Sequence, residues 1–525
     1  MKSRLRARVS LLSVMALVAS LFIAATAPAN AAVSRTSLIV AMSADLDYLD
    51  PAATMDNAQW KITYPCYQRL VEYNGADTDV VPGLASSWKI SDNNLVYTFT
   101  LNTGNKFSDG TEVNAKAVKY TFDRLLKIAK GPADNFGDLK EVTVLNPTTV
   151  SFTLKRTSPQ FLYTLAGNYG GIVNPKVANK AVNGDMGQSY LANRTAGSGA
   201  FVLTEWKKGQ FIKLRQNRHY AGKKPAFTSV IFKIVGDASS QRLQLAKGEI
   251  DIAEGIPTDQ LANVGKTKGI VVVNQPSLTV DYLYINNSKG NPALSKKAVR
   301  QAINYALDYK GIIDVTQAGF ATQMRGPIPV GMWGHDRNLF QYTTDYAKAK
   351  SLLSSAGVSN LSIDLLYSAR KPWWASEALL IQDNLAKAGI KVNLKLTDYA
   401  TSRQMIDKGD FDLSLGVWSP DYADPFMFMN FWFDSGSFGL AGNRSFYSNP
   451  AVDKLIREAA NITDQKKRTE LYVAAQKIVV DEAAYGYMYQ KNYLLPMRSN
   501  IKGFVFNPML EQMYNLETMY KTSKA

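Results

Sequence analysis

The fold is organised around the stretch FDLSLGVWSPDYADPFMFMNFWFDS, residues 411–435. Its apolar beginning predicts a short strand over residues 413–417. A Ser-Pro pair then ends the strand, because proline has no N–H for a ladder and disfavours helix in the residue before it. The two acids that follow, Asp421 and Asp424, are surrounded by aromatic residues. Carboxylates beside aromatic rings can hold a cationic group and stack an organic body over it. A strand end followed by a buried helix that these acids cap fits equally well, so both interpretations stay open.

The length and composition indicate a globular protein with more than one lobe. The chain has 525 residues, which exceeds the size that one hydrophobic core can organise. Hydrophobic residues make up 46% of the chain and charged residues 20%, as in ordinary globular proteins. The formal net charge is +16, but the basic residues are spread along the chain and no nucleic-acid-binding motif is present. We therefore expect no nucleic-acid partner.

The N-terminus has the pattern of a cleavable signal peptide. Four basic residues precede an apolar run over residues 9–25, and an Ala-Asn-Ala sequence at residues 29–31 has the form that signal peptidase cuts. We expect residues 1–31 to be removed. Cys66 is the only cysteine and lies far from the cleavage site, so it predicts neither a lipid anchor nor an internal disulfide. The mature protein is expected in the periplasm.

Hydrophobic periodicity gives a coarse map of the elements. Residues before about 284 are rich in strands and hairpins, and helices and strands alternate from Pro292 onward. The pattern predicts strands at residues 38–42, 95–101, 230–235, 271–274, 281–286, 361–367, 390–396 and 504–506, and hairpins over 141–155 and 201–215. It predicts helices at residues 58–71, 118–129, 239–247, 299–307, 376–388, 450–460 and 465–482.

Several kinds of chemistry have no support in the sequence. The two histidines, His219 and His335, are far apart, and no zinc, nucleotide or phosphate-loop motif occurs. We therefore expect no metal site, no cofactor and no catalytic residues. A secreted hydrolase with a pair of carboxylates stays open as an alternative, because acids are frequent and their separation in space is unknown.

A series of short motifs follows a characteristic order along the chain. They are LDP at 49–51, YQRLV at 67–71 leading to VPGLASSW at 81–88, YTFTL at 97–101 with KFSDGT at 106–111, GSGAFVL at 197–203, GEIDIA at 248–253, VRQAINYALD at 299–308 and DYADP at 421–425. Each motif alone is weak, but their joint order and spacing are specific. Across essentially the whole mature chain, the sequence resembles the extracytoplasmic solute-binding proteins of peptide/nickel-type ABC importers (family 5), which include oligopeptide- and dipeptide-binding proteins.

The resemblance implies an α/β fold of the periplasmic-binding-protein type (type II, cluster C). Two lobes are joined by a hinge, and an extra α+β subdomain is inserted in the first. The implied boundaries are residues 32–77, 195–283 and 496–525 for lobe I, 78–194 for the inserted subdomain and 284–495 for lobe II.

The resemblance also implies a ligand site. In peptide-binding members, the acid at the position of Asp421 pairs with the ligand's ammonium group, and the segment 417–419 offers backbone groups and an aromatic wall. Asp424 is then expected to cap the helix that follows. In dipeptide binders an arginine before the helix at 376–388 holds the ligand's carboxylate, but Ser368 stands at that position here. The candidate ligand-binding residues are Asp421, Trp418, Ser419, Val417, Tyr422, Trp373, Trp374, Arg370, Asp45, Asp47 and Tyr489.

The resemblance implies a receptor that captures a peptide or peptide-like solute and delivers it to the permease and ATPase of an ABC importer. We expect it to be a monomer and not an enzyme. A non-peptide solute, such as an opine, a glycoside, a metal chelate or a polyamine-like cation, is an alternative within the family. A periplasmic chaperone that uses the same cleft on unfolded chains is an alternative of another class.

Overall fold

A computed structural model describes residues 35–54, 57–371, 373–511 and 513–523. The predicted signal peptide at residues 1–31 lies outside these residues. The strands are β1 Ser37–Met42, β2 Val71–Tyr73, β3 Val80–Pro82, β4 Ala85–Ile90, β5 Val96–Leu101, β6 Leu139–Asn146, β7 Thr149–Leu154, β8 Phe201–Lys207, β9 Phe211–Gln216, β10 Ser229–Ile234, β11 Ile252–Ala253, β12 Ile270–Ile285, β13 Ala321–Gln323, β14 Ser362–Ser368, β15 Lys391–Thr397, β16 Leu413–Trp418, β17 Tyr485–Arg498, β18 Ile501–Lys502 and β19 Tyr520–Lys521.

The helices lie mainly between the strands of the second half of the chain. They are α1 Trp60–Thr63, α2 Ala115–Ile128, α3 Phe161–Ala166, α4 Gln188–Leu191, α5 Ala238–Lys247, α6 Thr258–Val264, α7 Lys297–Ala306, α8 Tyr309–Gln317, α9 Tyr346–Ser355, α10 Trp374–Lys387, α11 Tyr399–Lys408, α12 Asn430–Phe433, α13 Pro450–Ala459 and α14 Gln465–Asp481. Among the described residues, none of these helices is both long and apolar enough to span a membrane.

Two groups of parallel strands lie at opposite ends of one large sheet. The strand order is β15-β14-β16-β12-β17-β11-β1-β10-β9-β8. In the first group β14 pairs in parallel with β15 and β16, and in the second β1 pairs in parallel with β10 and β11. Each group is the sheet of one α/β lobe. The resulting two-lobed α/β fold is the predicted fold class.

The long strands β12 and β17 connect the lobes. They pair antiparallel along most of their length, with a register irregularity between Pro276 and Val280. From Val280 onward, β12 also pairs with β16 of the second lobe. Because proline has no N–H to donate, it is tolerated where a ladder is already irregular. This irregularity marks the crossing between the lobes.

The residues between β3 and β8 form a smaller unit with its own sheet. Its four strands follow the order β4-β5-β7-β6, and α2 packs on β6 and β7. A buried ion pair attaches this unit to the first lobe, since Arg124 Nη1 of α2 donates to Asp50 Oδ1 at 2.9 Å. The unit also reaches the second lobe, where the ring of Tyr163 stacks on that of Trp333 with centroids 6.3 Å apart. The division of the chain into three units by residue number stays a prediction.

Most predicted elements are present, and three predictions are wrong. The two strands predicted at 271–274 and 281–286 are one strand, β12, because the chain stays paired through Pro276 at the irregular ladder. The helix predicted at 58–71 is a series of short helical turns that ends at Cys66, and the chain turns into β2 at Val71. Residues 504–506 do not form a strand, whereas residues 501–502 do.

Candidate functional site

The carboxyl ends of the parallel strands of the second lobe meet at one edge of the sheet. β14 ends at Ser368, β15 at Thr397 and β16 at Trp418, and each strand is followed by a loop or a helix N-terminus. In α/β sheets this edge is where ligands bind. Most of the predicted site residues lie here or directly beside it.

Asp421 is the first acid after β16. Its side chain is exposed, and no hydrogen bond or ion pair holds its carboxylate within the described part of the chain. Burial nevertheless raises its pKa. The two observations agree if the carboxylate faces a cleft, where solvent reaches it but protein surrounds it. Tyr169 of the inserted unit lies close enough for the charge of Asp421 to add to burial in raising the pKa of this tyrosine.

Asp424 has the opposite surroundings. It is fully buried, and it accepts a 2.9 Å hydrogen bond from the backbone N–H of Phe426. Its two carboxylate oxygens also receive the guanidinium of Arg468 at 2.7 and 2.8 Å. The predicted cap is therefore present, on the 3-10 helix Pro425–Met427, whereas the pairing with Arg468 was not predicted. Asp424 holds the segment in place and leaves Asp421 free.

Aromatic rings form the wall beside Asp421. Trp418 stacks on Phe431 with ring centroids 4.8 Å apart, and meets Trp432 edge to face at 5.0 Å. Tyr422 is buried. Offset stacking and edge-to-face packing hold such rings in fixed orientations. The Trp418 ring is half-buried, so it keeps a face that a ligand can contact.

Ser419 connects this wall to the crossing strands and the C-terminal loop. Its hydroxyl lies 2.7 Å from that of Thr279, which in turn donates to Glu511 at 3.2 Å. Thr279 belongs to the irregular part of β12. The three side chains form a continuous polar chain from the second lobe across the hinge to the first.

A buried acidic cluster lies under the neighbouring loop. Trp373 and Trp374 both donate their indole N–H groups to Asp281 Oδ1, at 3.2 and 3.4 Å. Asp281 faces Val417 on one side of its strand and Tyr489 on the other. Val417 and Tyr489 therefore lie next to this cluster, as Trp373 and Trp374 do.

A second buried acid completes the cluster. The Tyr489 hydroxyl lies 3.5 Å from Glu377 Oε2, and Glu377 Oε1 and Asp281 Oδ2 have no hydrogen-bond partner. Burial raises the pKa of both acids, and the charge of Asp281 raises that of Glu377 further. The nearby cation, Lys491, lies over the ring of Trp373 with its Nζ 3.7 Å from the centroid. The lysine thus approaches the acids through the indole and not by a direct ion pair.

A cavity of about 210 Å³ opens beside β16 at the same edge. Four cations line it, and no acid does; the cations are Arg370, Lys371, Arg403 and Arg444. None of the four forms an ion pair within the described residues. Arg444 lies between aromatic rings, with its guanidinium carbon 4.6 Å from the centroid of Trp432. Ser368 also lines the cavity, and its buried hydroxyl has no partner.

The structure thus brings cations to the place where the resemblance implied an arginine. Arg370, a predicted ligand-binding residue, lines the cavity with its guanidinium over the ring of Tyr399 at 4.0 Å, and its role in binding stays a prediction. Lys371, Arg403 and Arg444 were not predicted. The available signal was weak: Lys371 follows the end of β14 and Arg403 lies in the first half of α11, where lysine and arginine are common, and Arg444 lies in a loop far from the end of any parallel strand.

The two candidates in the first lobe have different surroundings. The Asp45 carboxylate accepts hydrogen bonds from the Gly209 N–H at 2.7 Å and the Trp206 indole at 2.9 Å. Burial raises its pKa, but these bonds and that from Leu46 outweigh burial, so the pKa is lowered. Asp45 therefore secures the hairpin of β8 and β9. Asp47 is exposed.

Comparison with known proteins identifies the family. Residues 79–439 match the family described as bacterial extracellular solute-binding proteins, family 5. The chain is 48% identical over 497 residues to the probable D,D-dipeptide-binding periplasmic protein DdpA of Escherichia coli K12, covering 94% of this chain and 96% of that protein.

Solved structures agree with this assignment. The fold matches DppA of Helicobacter pylori in complex with the peptide STSA, with a TM-score of 0.74 and 28% identity over 92% of this chain and 98% of that one. It matches HbpA2 of Haemophilus parasuis with a TM-score of 0.86 and 26% identity over 93% of this chain and 100% of that one. Members of the family are solute-binding receptors of ABC importers and not enzymes. The chain belongs to the bacterial extracellular solute-binding proteins of family 5.

Proposed function

We propose that this protein is the receptor of an ABC importer for a short peptide with free termini, and that Asp421 binds the ammonium group. The free carboxylate of Asp421 carries the proposal. It forms no ion pair within the described residues, and burial already raises its pKa. A carboxylate in such surroundings gains most from a bound ammonium group, which would itself be unfavourable to desolvate without a partner.

The cationic cavity is the proposed site for the peptide's carboxylate. Four unpaired cations with no acid among the lining residues favour an anion. The cavity is lined by residues 414–417 of the strand that Asp421 follows. Ser368 stands where dipeptide binders have an arginine, which counts against a dipeptide ligand. Arg370, Arg403 and Arg444 nevertheless supply positive charge to the cavity. A dipeptide is therefore the ligand class that we favour, in agreement with the D,D-dipeptide named for the E. coli relative.

The aromatic residues are proposed to hold the body of the ligand. Trp418 and Tyr422 flank Asp421, and Trp373 lies in the loop beside the cationic cavity, with a half-buried ring. Ser419 offers a hydroxyl that already bonds Thr279. We further propose export by cleavage after Ala31, an unlipidated monomer in the periplasm and delivery of the ligand to a membrane permease and its ATPase.

Calorimetry with alanyl dipeptides tests the proposal. D-Ala-D-Ala and L-Ala-L-Ala are each compared with their N-acetylated and C-amidated forms. Losing one partner of a desolvated charge pair costs about 2–5 kcal/mol, so acetylation and amidation should each weaken binding by orders of magnitude. The acetylation penalty should vanish in Asp421→Asn and persist in Asp92→Asn, whose acid is exposed on the inserted unit. Equal affinity for free and acetylated dipeptides would disprove the ammonium site.

A further inference from the structure

A second cavity lies in the first lobe beneath the C-terminal loop. Its volume is about 450 Å³, which is in the range of small-molecule pockets. Residues of the segment 64–75 form one wall, and residues from 503–510 and 513–518 form the other. The loop is anchored over the cavity, because the Asn507 side chain donates to the backbone oxygens of Gly75 and Asp77 at 2.7 and 2.9 Å.

Aromatic and apolar side chains make up much of the wall. Tyr64, Tyr73 and Tyr514 line the cavity together with Met513 and Leu516. Two of the tyrosine hydroxyls have partners outside the cavity. That of Tyr73 donates to the Tyr163 carbonyl at 2.9 Å, and that of Tyr514 donates to Glu254. The rings of Tyr73 and Tyr514 are therefore held in fixed positions in the wall that an organic molecule would contact.

The charged groups of this cavity leave one acid without a cation. The guanidinium of Arg69 lies over the Tyr64 ring at 3.4 Å, donates to the carbonyl of Tyr67 at 2.8 Å and approaches Glu72 to 3.6 Å. Arg69 and Glu72 thus offset each other. Glu517 has no ion pair among the described residues, and its one hydrogen bond is from the Tyr220 hydroxyl at 2.7 Å.

The surroundings of Glu517 resemble those of Asp421. Its side chain is exposed, yet burial raises its pKa, and the charge of Glu72 raises it further against the opposing charge of Arg69. A carboxylate at the mouth of an aromatic cavity, facing another acid, favours an organic cation. Rings of tyrosine attract such cations through their faces as well.

We propose that this cavity binds a small aromatic or alkyl ammonium compound, with the ammonium at Glu517 and the organic body between the tyrosines. The site does not depend on the peptide proposal and shares none of the residues assigned to it. It does lie near the peptide site, since the Tyr73 hydroxyl is 3.4 Å from the backbone nitrogen of Ala423. A test must therefore separate the two sites.

Phenethylamine and its neutral isostere 2-phenylethanol are suitable probes, titrated at millimolar concentration by calorimetry and ligand-observed NMR against the full mature protein. Because the ammonium group loses its charged partner, Glu517→Gln should weaken phenethylamine binding at least tenfold and leave 2-phenylethanol unaffected. Glu205→Gln, which changes an exposed acid of β8, is the matched control. Val505→Trp, which enlarges a side chain in the cavity wall, should weaken binding of both probes.

The variant Asp421→Asn shows whether the probe binds in this cavity or in the peptide site. Phenethylamine should bind Asp421→Asn as it binds the wild type, and its affinity should fall at low pH as Glu517 becomes protonated. Loss of binding in Asp421→Asn but not in Glu517→Gln would place the probe in the peptide cleft and overturn the proposal. Equal affinity for the amine and the alcohol, or no binding of the amine at millimolar concentration, would overturn it as well.

Discussion

Four buried acids of this protein form two groups that differ in their partners. Asp50 and Asp424 are each fully buried, and each is held by an arginine, Arg124 and Arg468 respectively. Asp281 and Glu377 are as deeply buried, but no cation forms an ion pair with either of them in the described residues. Asp421 also forms no ion pair in the part of the chain that the structure describes, although solvent reaches it.

The partner indicates what each acid does. A carboxylate that two guanidinium N–H groups grip is satisfied and fixes the backbone around it. A carboxylate without a cation retains its attraction for one, at a cost to stability. The arginine-paired acids therefore join elements of the fold, whereas the unpaired acids are those at which we propose that a ligand or a proton binds. Substitutions should separate the two groups.

The largest effect is expected for Asp424→Asn, and it is an effect on stability. The change removes the charge that balances buried Arg468, and breaking a buried ion pair costs about 3–5 kcal/mol. From the sequence alone, Asp424 is only a helix cap, worth about 1 kcal/mol. Urea denaturation of the empty protein measures the loss.

Asp138→Asn is the matched control for this experiment. Its partner Arg156 is largely exposed, and exposed ion pairs contribute about 0–1 kcal/mol. Replacing Asp424 and Arg468 together by leucine and methionine should recover much of the lost stability, because no unpaired charge then remains. A loss near 1 kcal/mol in Asp424→Asn would mean that only the cap matters.

The next effect is expected for Asp421→Asn, and it is an effect on binding. Dipeptide affinity should fall by the equivalent of about 2–5 kcal/mol, whereas the free energy of unfolding should barely change, because no protein group loses a partner. Calorimetry and urea denaturation on the same preparation give both values. A stability loss as large as that of Asp424→Asn would show that Asp421 has a structural partner.

The sequence predicts the architecture well because periodicity and motif order are local or nearly local signals. The strand β16, the break after it and the cap at Asp424 all follow from residues 411–435. The sequence does not show whether the β12–β17 ladder continues through an irregular register. The break predicted near Pro276 does not occur, because the long ladder with β17 continues on both sides of it.

The candidate site is less predictable, because its charges come together from distant positions. Arg468 pairs with an acid 44 positions earlier in the chain, and nothing local to either residue announces the pair. Asp281 lies within an apolar strand whose pattern indicates only burial. From the sequence alone, its indole partners Trp373 and Trp374 fit a role in the hydrophobic core and a role in the ligand site equally well. Only the folded arrangement distinguishes an acid with an arginine from an acid without one.

A smaller effect, of opposite sign, is expected for Glu377→Gln. Burial and the charge of Asp281 raise the pKa of Glu377, so the folded protein holds its proton more tightly than the unfolded chain does. The wild type therefore loses stability as the pH rises from the usual range of a carboxyl group through the raised pKa. Glutamine carries no charge, so the variant should be more stable than the wild type by about 1–3 kcal/mol at a pH above the usual range of carboxyl pKa values.

The pH dependence separates this explanation from a simple packing effect. The advantage of Glu377→Gln should shrink as the pH falls toward the unfolded carboxyl pKa, because the wild-type acid is then protonated in both states. Thermal melts across that range measure the difference. Glu458→Gln, which changes an exposed acid on α13, is the control. A variant that is less stable at every pH would show that the Glu377 charge is compensated.

The smallest effect is expected for Asp45→Asn, and it tests whether the unpaired acids alone form the ligand site. Asp45 has no arginine, but it accepts hydrogen bonds from Gly209, Leu46 and Trp206, so its carboxylate is already occupied. Asparagine keeps one acceptor oxygen, so the loss should be about 1 kcal/mol of stability, typical of a hydrogen bond. Dipeptide affinity measured by calorimetry should match the wild type.

Because hydrogen bonds lower the pKa of Asp45, the stability difference should be present at neutral pH and disappear as the pH falls through that lowered pKa and protonates the wild-type acid. A tenfold weaker affinity would instead show that the first lobe contributes to the ligand site, with Asp45 as a second acid that binds the ligand besides Asp421.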